Sequence, residues 1–166
     1  MKKAHFTSII ILNLIVAIKT GHCQNAGKIE ISDLMIAKVS KQAYISLGSS
    51  KSKIIEAFGK PLLIKKSYFV KFDFRGEMID YKDAQFYFVH NSLEAFEIKD
   101  NQFTIKIKGK SDSAVVGSFL NGFIKTTPRD SFTNITLQHG GVYYDEVLGF
   151  TFDDKHKISN IICGPD

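Results

Sequence analysis

Apolar positions along this chain change period in a fixed order. Ile54, Ile55 and Phe58 fall at i, i+1 and i+4, one stripe on a short helix. Ser50, or Ser49, stands where an N-cap side chain accepts from a first-turn N–H, and Gly59-Lys60-Pro61 supplies a stop. The period then drops to two. Tyr68, Val70, Phe72 and Phe74 alternate with Phe69, Lys71 and Asp73, predicting a strand with one apolar face. Arg75-Gly76-Glu77 is expected to form a hairpin turn, with strands over 78–81, 84–89 and 93–98 after it. The pattern spells one short helix followed by a four-stranded antiparallel meander.

The same pattern is written a second time. Gly48, Ser50, Ser52 and Phe58 recur as Gly109, Ser111, Ser113 and Phe119, with Ile54-Ile55 becoming Val115-Val116. Ser111 is the second expected cap, Asp112 adds a favourable charge to the first turn, and Asn121-Gly122 is the corresponding stop. Strands are expected over 132–138, 142–145, 147–152 and 157–162, with a turn at His139-Gly140-Gly141. Phe86 and Phe88 answer Phe150 and Phe152, and Leu93 and Phe96 answer Ile158 and Ile161 across a last hairpin one residue longer. Residues 28–46 are ambiguous: Leu34-Met35-Ile36 with Val39 reads as a helix, while 42–47 alternates like a strand. Phe103, Ile105 and Ile107 precede the second cap in an extended manner.

One meander with one short helix buries its apolar face poorly, whereas two side by side close a common core. The predicted fold class is therefore α+β: two tandem helix-plus-four-stranded-meander repeats forming one antiparallel sheet of about eight strands with helices on one face. The opposite face is left open and, because sheets twist, concave. Repeat 1 is expected over 28–101 and repeat 2 over 102–166, together one domain from 24 to 166.

The first residues read as an address. Lys2 and Lys3 precede an apolar stretch from Phe6 to Ile18, and Gly21-His22-Cys23 places small residues at −3 and −1 of a signal-peptidase site. Residues 1–23 are thus expected to be a signal peptide, leaving an exported protein, periplasmic or secreted, that begins at Gln24. The apolar run is short for a membrane span, which needs about 20 residues. The competing reading lipidates Cys23 and ties the chain to the outer membrane, the one route by which a membrane becomes a partner; His22 is a poor residue before such a cysteine. The chain holds 22 Lys and Arg against 17 Asp and Glu. Lys2, Lys3 and Lys19 leave with the leader, so the mature balance is nearly even and gives no footprint for nucleic acid. Cys163 then has no intramolecular disulfide partner and reads as a small buried hydrophobe near the end of the last strand.

Catalytic and cofactor chemistry finds little support in the residues. Asp80, Asp83, Asp145, Glu146, Asp153 and Asp154 fall in or beside turns, where such side chains bond the local backbone. His139 beside two glycines has no Ser/Asp or second His at a convincing spacing, and no CxxC or HExxH occurs. The expectation is no enzyme, no cofactor and no metal site.

The stretch Ile45 to Pro61, with its Gly-polar-Ser cap and amphipathic turn ending in Gly-x-Pro before a four-stranded meander, resembles the β-lactamase-inhibitor-protein (BLIP) family. It is also similar to the related small outer-membrane assembly lipoproteins of the SmpA/OmlA type. The tandem arrangement favours the inhibitor branch. That resemblance implies a non-enzymatic binding module, of inhibitor or immunity type, monomeric alone, whose partner is a secreted enzyme, a toxin or an envelope component. The lipoprotein branch implies instead a structural or assembly factor of the bacterial envelope. The family's recognition elements are hairpin loops and concave-face aromatics, which fall here on Arg75-Gly76-Glu77 and His139-Gly140-Gly141, with Tyr87, Tyr143 and Tyr144. The family inhibitor carries a disulfide in each repeat; neither repeat here has a cysteine pair.

Overall fold

The computed structural model describes residues 29–120, 123 and 131–165, without the side chains of 143–145. The expected leader, Cys23 and the Asn121-Gly122 stop lie outside these residues. Twelve strands and one α-helix are formed among them: β1 (Ile29–Glu30), β2 (Leu34–Lys38), β3 (Tyr44–Ile45), α1 (Lys51–Phe58), β4 (Leu63–Phe69), β5 (Phe74–Asp80), β6 (Ala84–Val89), β7 (Ser92–Ile98), β8 (Phe103–Ile107), β9 (Ser113–Val115), β10 (Phe132–His139), β11 (Val142–Phe152) and β12 (Ile158–Pro165). They make an eight-stranded sheet in the order β1-β10-β11-β12-β7-β6-β5-β4 and a four-stranded sheet in the order β3-β2-β8-β9. The large sheet is mixed, because β1 runs parallel to β10.

The first meander, β4 to β7, forms as a four-stranded antiparallel unit. The second has three strands, because residues 142–152 are one continuous strand rather than two. The two join at a short seam where only Ile98, Glu97 and Phe96 of β7 face Ile161, Ile162 and Cys163 of β12. Both last hairpins share one register. Phe86 faces Phe96 and Phe88 faces Leu93 across a bulge after Tyr87; Phe150 faces Ile161 and Phe152 faces Ile158 across a bulge after Thr151.

α1 forms as its sequence requires. The Ser50 hydroxyl accepts from the Lys53 N–H at 3.4 Å, Gly59 closes the helix at φ 90°, and Ile54, Ala57 and Phe58 are buried. The expected second helix does not form. Gly48 and Gly109 adopt the same φ of 78° in the same turn, with Ser49 N–H bonded to the Ser46 carbonyl and Lys110 N–H to that of Ile107. After it the copies part. Ser113–Val115 pairs as β9 with β8, and Gly117 takes φ 88°, which no helix accommodates. Gly117 replaces the helix former Glu56, while valines only stand in for the equally β-branched Ile54 and Ile55, so helix propensity falls chiefly at the glycine. Phe119 is 55% exposed, and Phe123 takes the inner position instead, 5.9 Å edge-on from Phe150 as Phe58 is 5.6 Å from Phe86.

Residues 34–38 and 103–107, one read ambiguously and the other merely as extended, pair with each other. Leu34, Ile36, Phe103, Ile105 and Ile107 alternate inward, so the small sheet and α1 cover the same face of the large one. One buried cluster joins them, with Phe86, Phe88, Phe96 and Phe150 at its centre. Each fully buried Phe contributes about 1.5–3 kcal/mol. Cys163 is buried there as well.

Candidate protein interface

The other face of the large sheet is only half open. Its first half is covered by the β4–β5 connection. Val70–Phe72 forms a 3-10 turn closed by Asp73 at φ 52°, a left-handed conformation that aspartate tolerates. Tyr68 donates its hydroxyl hydrogen to the Asp73 carboxylate. The turn therefore falls at 70–73, and Arg75-Gly76-Glu77 lies inside β5 rather than in a hairpin.

Phe69, Phe72 and Phe74 fold over Met78, Tyr87 and Ala95. The Tyr87 ring lies 4.8 Å from Phe72 and 5.0 Å from Phe69, and the residue is 6% exposed. Tyr87 is thus a core residue of this second cluster and not a surface contact. Its hydroxyl bonds Gln85 at 2.7 Å, and burial, with the Glu97 and Asp80 charges, pushes its pKa up to about 12. Lys71 pins the same turn: it reaches Glu97 at 3.0 Å, with Lys99 at 3.4 Å and the Asn160 amide at 3.1 Å. Burial works against the Glu97 charge, yet the two lysines prevail and hold its carboxyl below the usual range.

Among the described residues nothing covers the second half of this face. At the seam a hollow of about 310 Å³ is walled by Phe72 and Phe132 and flanked by Thr151, Asn160 and Ile162. Its floor holds Gly149 and Gly164. A Cβ at Gly164 would stand 2.6 Å from the Phe72 ring, and one at Gly149 would stand 3.0 Å from Phe132. Neither phenylalanine is among the face aromatics that the family resemblance implied, Tyr87, Tyr143 and Tyr144. The available signal was the pair of glycines inside strand patterns, which marks close approach.

Arg75, Gly76 and Glu77 do meet at a surface, on the other side of the sheet. An open cleft of about 900 Å³ runs between β4, β5 and the amino end of α1, lined by Lys51, Lys66, Tyr68, Arg75, Glu77 and His90 among others. Glu77 pairs with Lys51 and, at 3.4 Å, with Lys66. These lysines, Lys51 foremost, lower its pKa. Lys51, the first residue of α1, belongs to this cleft. Among the described residues Arg75 has no ion pair.

The His139-Gly140-Gly141 turn forms where expected, with both glycines at positive φ. The Glu30 carboxylate accepts from Gly140 N–H at 3.0 Å and Gly141 N–H at 3.1 Å, tying the turn to β1. A smaller hollow of about 160 Å³ beside it includes His139, Glu94 and Glu146. Tyr143 and Tyr144 lie in β11, their side chains outside the described residues. The turn aspartates serve the local backbone: Asp80 accepts from Lys82 N–H, and Asp153 from those of Lys155 and Lys157. Among the described residues no group of three or more His, Cys, Asp or Glu could hold a metal ion, and no helix is long and apolar enough to cross a membrane.

Family models, curated proteins and solved structures were each compared with the chain, and none matches.

Proposed function

We propose that this chain is an exported, non-enzymatic protein-binding module of inhibitor or immunity type, beginning at Gln24, that meets its partner with the uncovered half of the large sheet. The observation that carries this reading is the seam hollow. Its size suits one large apolar side chain, it is walled by two aromatic rings, and one of them, Phe132, is 47% exposed. Binding energy at protein interfaces concentrates where such an anchor fills a desolvated pocket. The resemblance to the inhibitor family agrees in using an open sheet face. It places weight differently, since Tyr87 is not available here.

The test uses the mature chain as bait in culture fluid and envelope fractions, beside a Phe132→Asp variant. A protein held in stoichiometric amount by the first and lost by the second supports the reading. Equal retention by both removes the hollow from the interface. Capture of a small molecule or turnover of one would overturn the module reading, and an integral outer-membrane assembly as the partner would favour the envelope-factor role.

A further inference from the structure

The two ends of the large sheet are unequal. At one end the two-residue β1 is the last strand, paired with β10 at Leu137 and Gln138, and the small sheet likewise ends in strands of two and three residues, β3 and β9. Short edges of this kind offer little backbone to another chain. At the other end stands β4, seven residues long and paired to β5 through Leu63–Phe69, with no strand on its outer side among the described residues. Its apolar side chains are not covered: Leu63 is 50%, Ile64 46% and Tyr68 48% exposed, and Leu62 just before it 72%. An edge strand of this length presents a row of unpaired N–H and C=O groups some 23 Å long, at about 3.3 Å per residue.

We propose that β4 is a docking edge to which a partner adds an extended segment as a ninth strand, and that this segment carries adjacent acidic residues between apolar ones. The charge pattern selects that occupant. Lys65 and Lys66 sit at the centre of the strand, and successive side chains leave opposite faces of a sheet. Lys66 is directed to the cleft side, where it meets Glu77 and where Lys51 and Arg75 add positive charge. Lys65 pairs in register with Met78 and lies on the opposite side. A partner strand satisfies both only with two neighbouring carboxylates, one per face. A second copy of this chain is disfavoured by the same residues, since an antiparallel pairing centred on the strand sets Lys66 against its twin. Central lysines therefore guard the edge against self-association while leaving it open to an acidic strand.

The inference rests on the protein-binding reading but on a different surface from the seam hollow. Its test titrates the mature chain with a capped ten-residue peptide holding a central Glu-Glu pair among valines and threonines. Two analogues accompany it: one with Lys-Lys at the centre, and one with backbone esters in place of amides, which keeps the charges and removes the N–H donors. The acidic peptide should bind at least about tenfold more tightly than either analogue. The Lys65→Glu/Lys66→Glu variant should prefer the lysine peptide, and hydrogen exchange should show new protection in β4 when the acidic peptide is added. Equal binding of the ester analogue, no preference for acid, or no binding of any peptide would each overturn the proposal. So would a wild-type dimer that persists in light scattering and is broken by blocking β4. A captured partner that depends on Phe132 but not on Lys65 and Lys66 removes this inference and leaves the module; the reverse dependence leaves the edge and removes the hollow.

Discussion

Gly76 was expected to be a turn residue, and its true position makes a sharp prediction. It lies inside β5 opposite Ser67, and its φ is not positive, so an alanine there meets no backbone strain. The obstacle is steric. A Cβ on Gly76 would lie 2.0 Å from the Phe88 carbonyl oxygen and 3.1 Å from its carbon, whereas real Cβ atoms essentially never come within 3.0 Å of such an atom. The group that must yield is backbone, held in the β5–β6 ladder, so the strands have to part by about 1 Å. Overpacking of that kind costs about 1–3 kcal/mol, and a rigid neighbour places Gly76→Ala toward the upper end.

Gly149→Ala is the matched comparison. Its Cβ would meet Ile162 and Phe132 at 3.0 Å, but both contacts are side-chain atoms and Phe132 can swing outward. Relief of glycine's unfolded-state entropy returns about 0.5–1 kcal/mol, which should leave this variant close to neutral. Urea denaturation of both measures the difference, expected at about 2 kcal/mol with an unchanged slope. Equal midpoints for the two variants would refute the argument, because they would mean the β5–β6 contact is as yielding as a surface ring.

Phe88→Ala and Phe152→Ala, at equivalent places in the two hairpins, should each lose about 3–5 kcal/mol in the same assay, while Lys53→Glu on the exposed side of α1 should stay within about 0.5 kcal/mol. Glu97 has a lowered folded-state pKa, so its contribution is present above the unfolded value of about 4.3 and lost as pH falls through the folded one. Wild type should therefore lose more stability than Glu97→Gln in chemical denaturation between pH 5 and the acid range, about those limits. A parallel fall in the two proteins would show that the lysine cluster does not hold the charge. Burial pushes the Cys163 thiol pKa up, so a thiol reagent at mildly alkaline pH should label it only in denaturant.

The elements that depend on period-two patterning were legible. Phe86, Phe88, Leu93 and Phe96 face one another as their alternation requires, and the counterpart hairpin has the same register with its extra residue in the turn. What misled was local resemblance without local energetics. The Gly-polar-Ser turn is copied faithfully at Gly109, but Gly117, at φ 88°, stands where the first copy has the helix former Glu56. The alternation from Tyr68 to Phe74 ran unbroken through a reversal that Asp73 alone could have signalled. Gly76, taken as a turn glycine, is there for the carbonyl of Phe88. The small sheet was illegible for another reason: its pairing joins β2 to β8 across most of the first repeat, and no local pattern carries that information. For the site, Arg75 and Glu77 do line a surface, whereas Tyr87 was placed on the correct face and hidden by a turn placed wrongly.

A written duplication that folds unequally leaves different surfaces free in its two halves. In the first half the chain covers its own outer face, because Phe69 and Phe72 fold back and Lys71 locks the turn to Glu97. β4 remains a long bare edge, because among the described residues no strand lies on its outer side. In the second half the corresponding turn is the tight Gly140-Gly141 hairpin, too short to reach back over the sheet, and Glu30 ties it to the closing strand β1. Among the described residues nothing lies over the face there, and β1 pairs with the edge at Leu137 and Gln138. The two halves thus leave different surfaces free among the described residues, so symmetric substitutions should have asymmetric effects on binding under the proposed function. Reversing charge on β4 tests one half, removing Phe132 tests the other, and only a chain in which both matter would use the duplication as a single continuous interface.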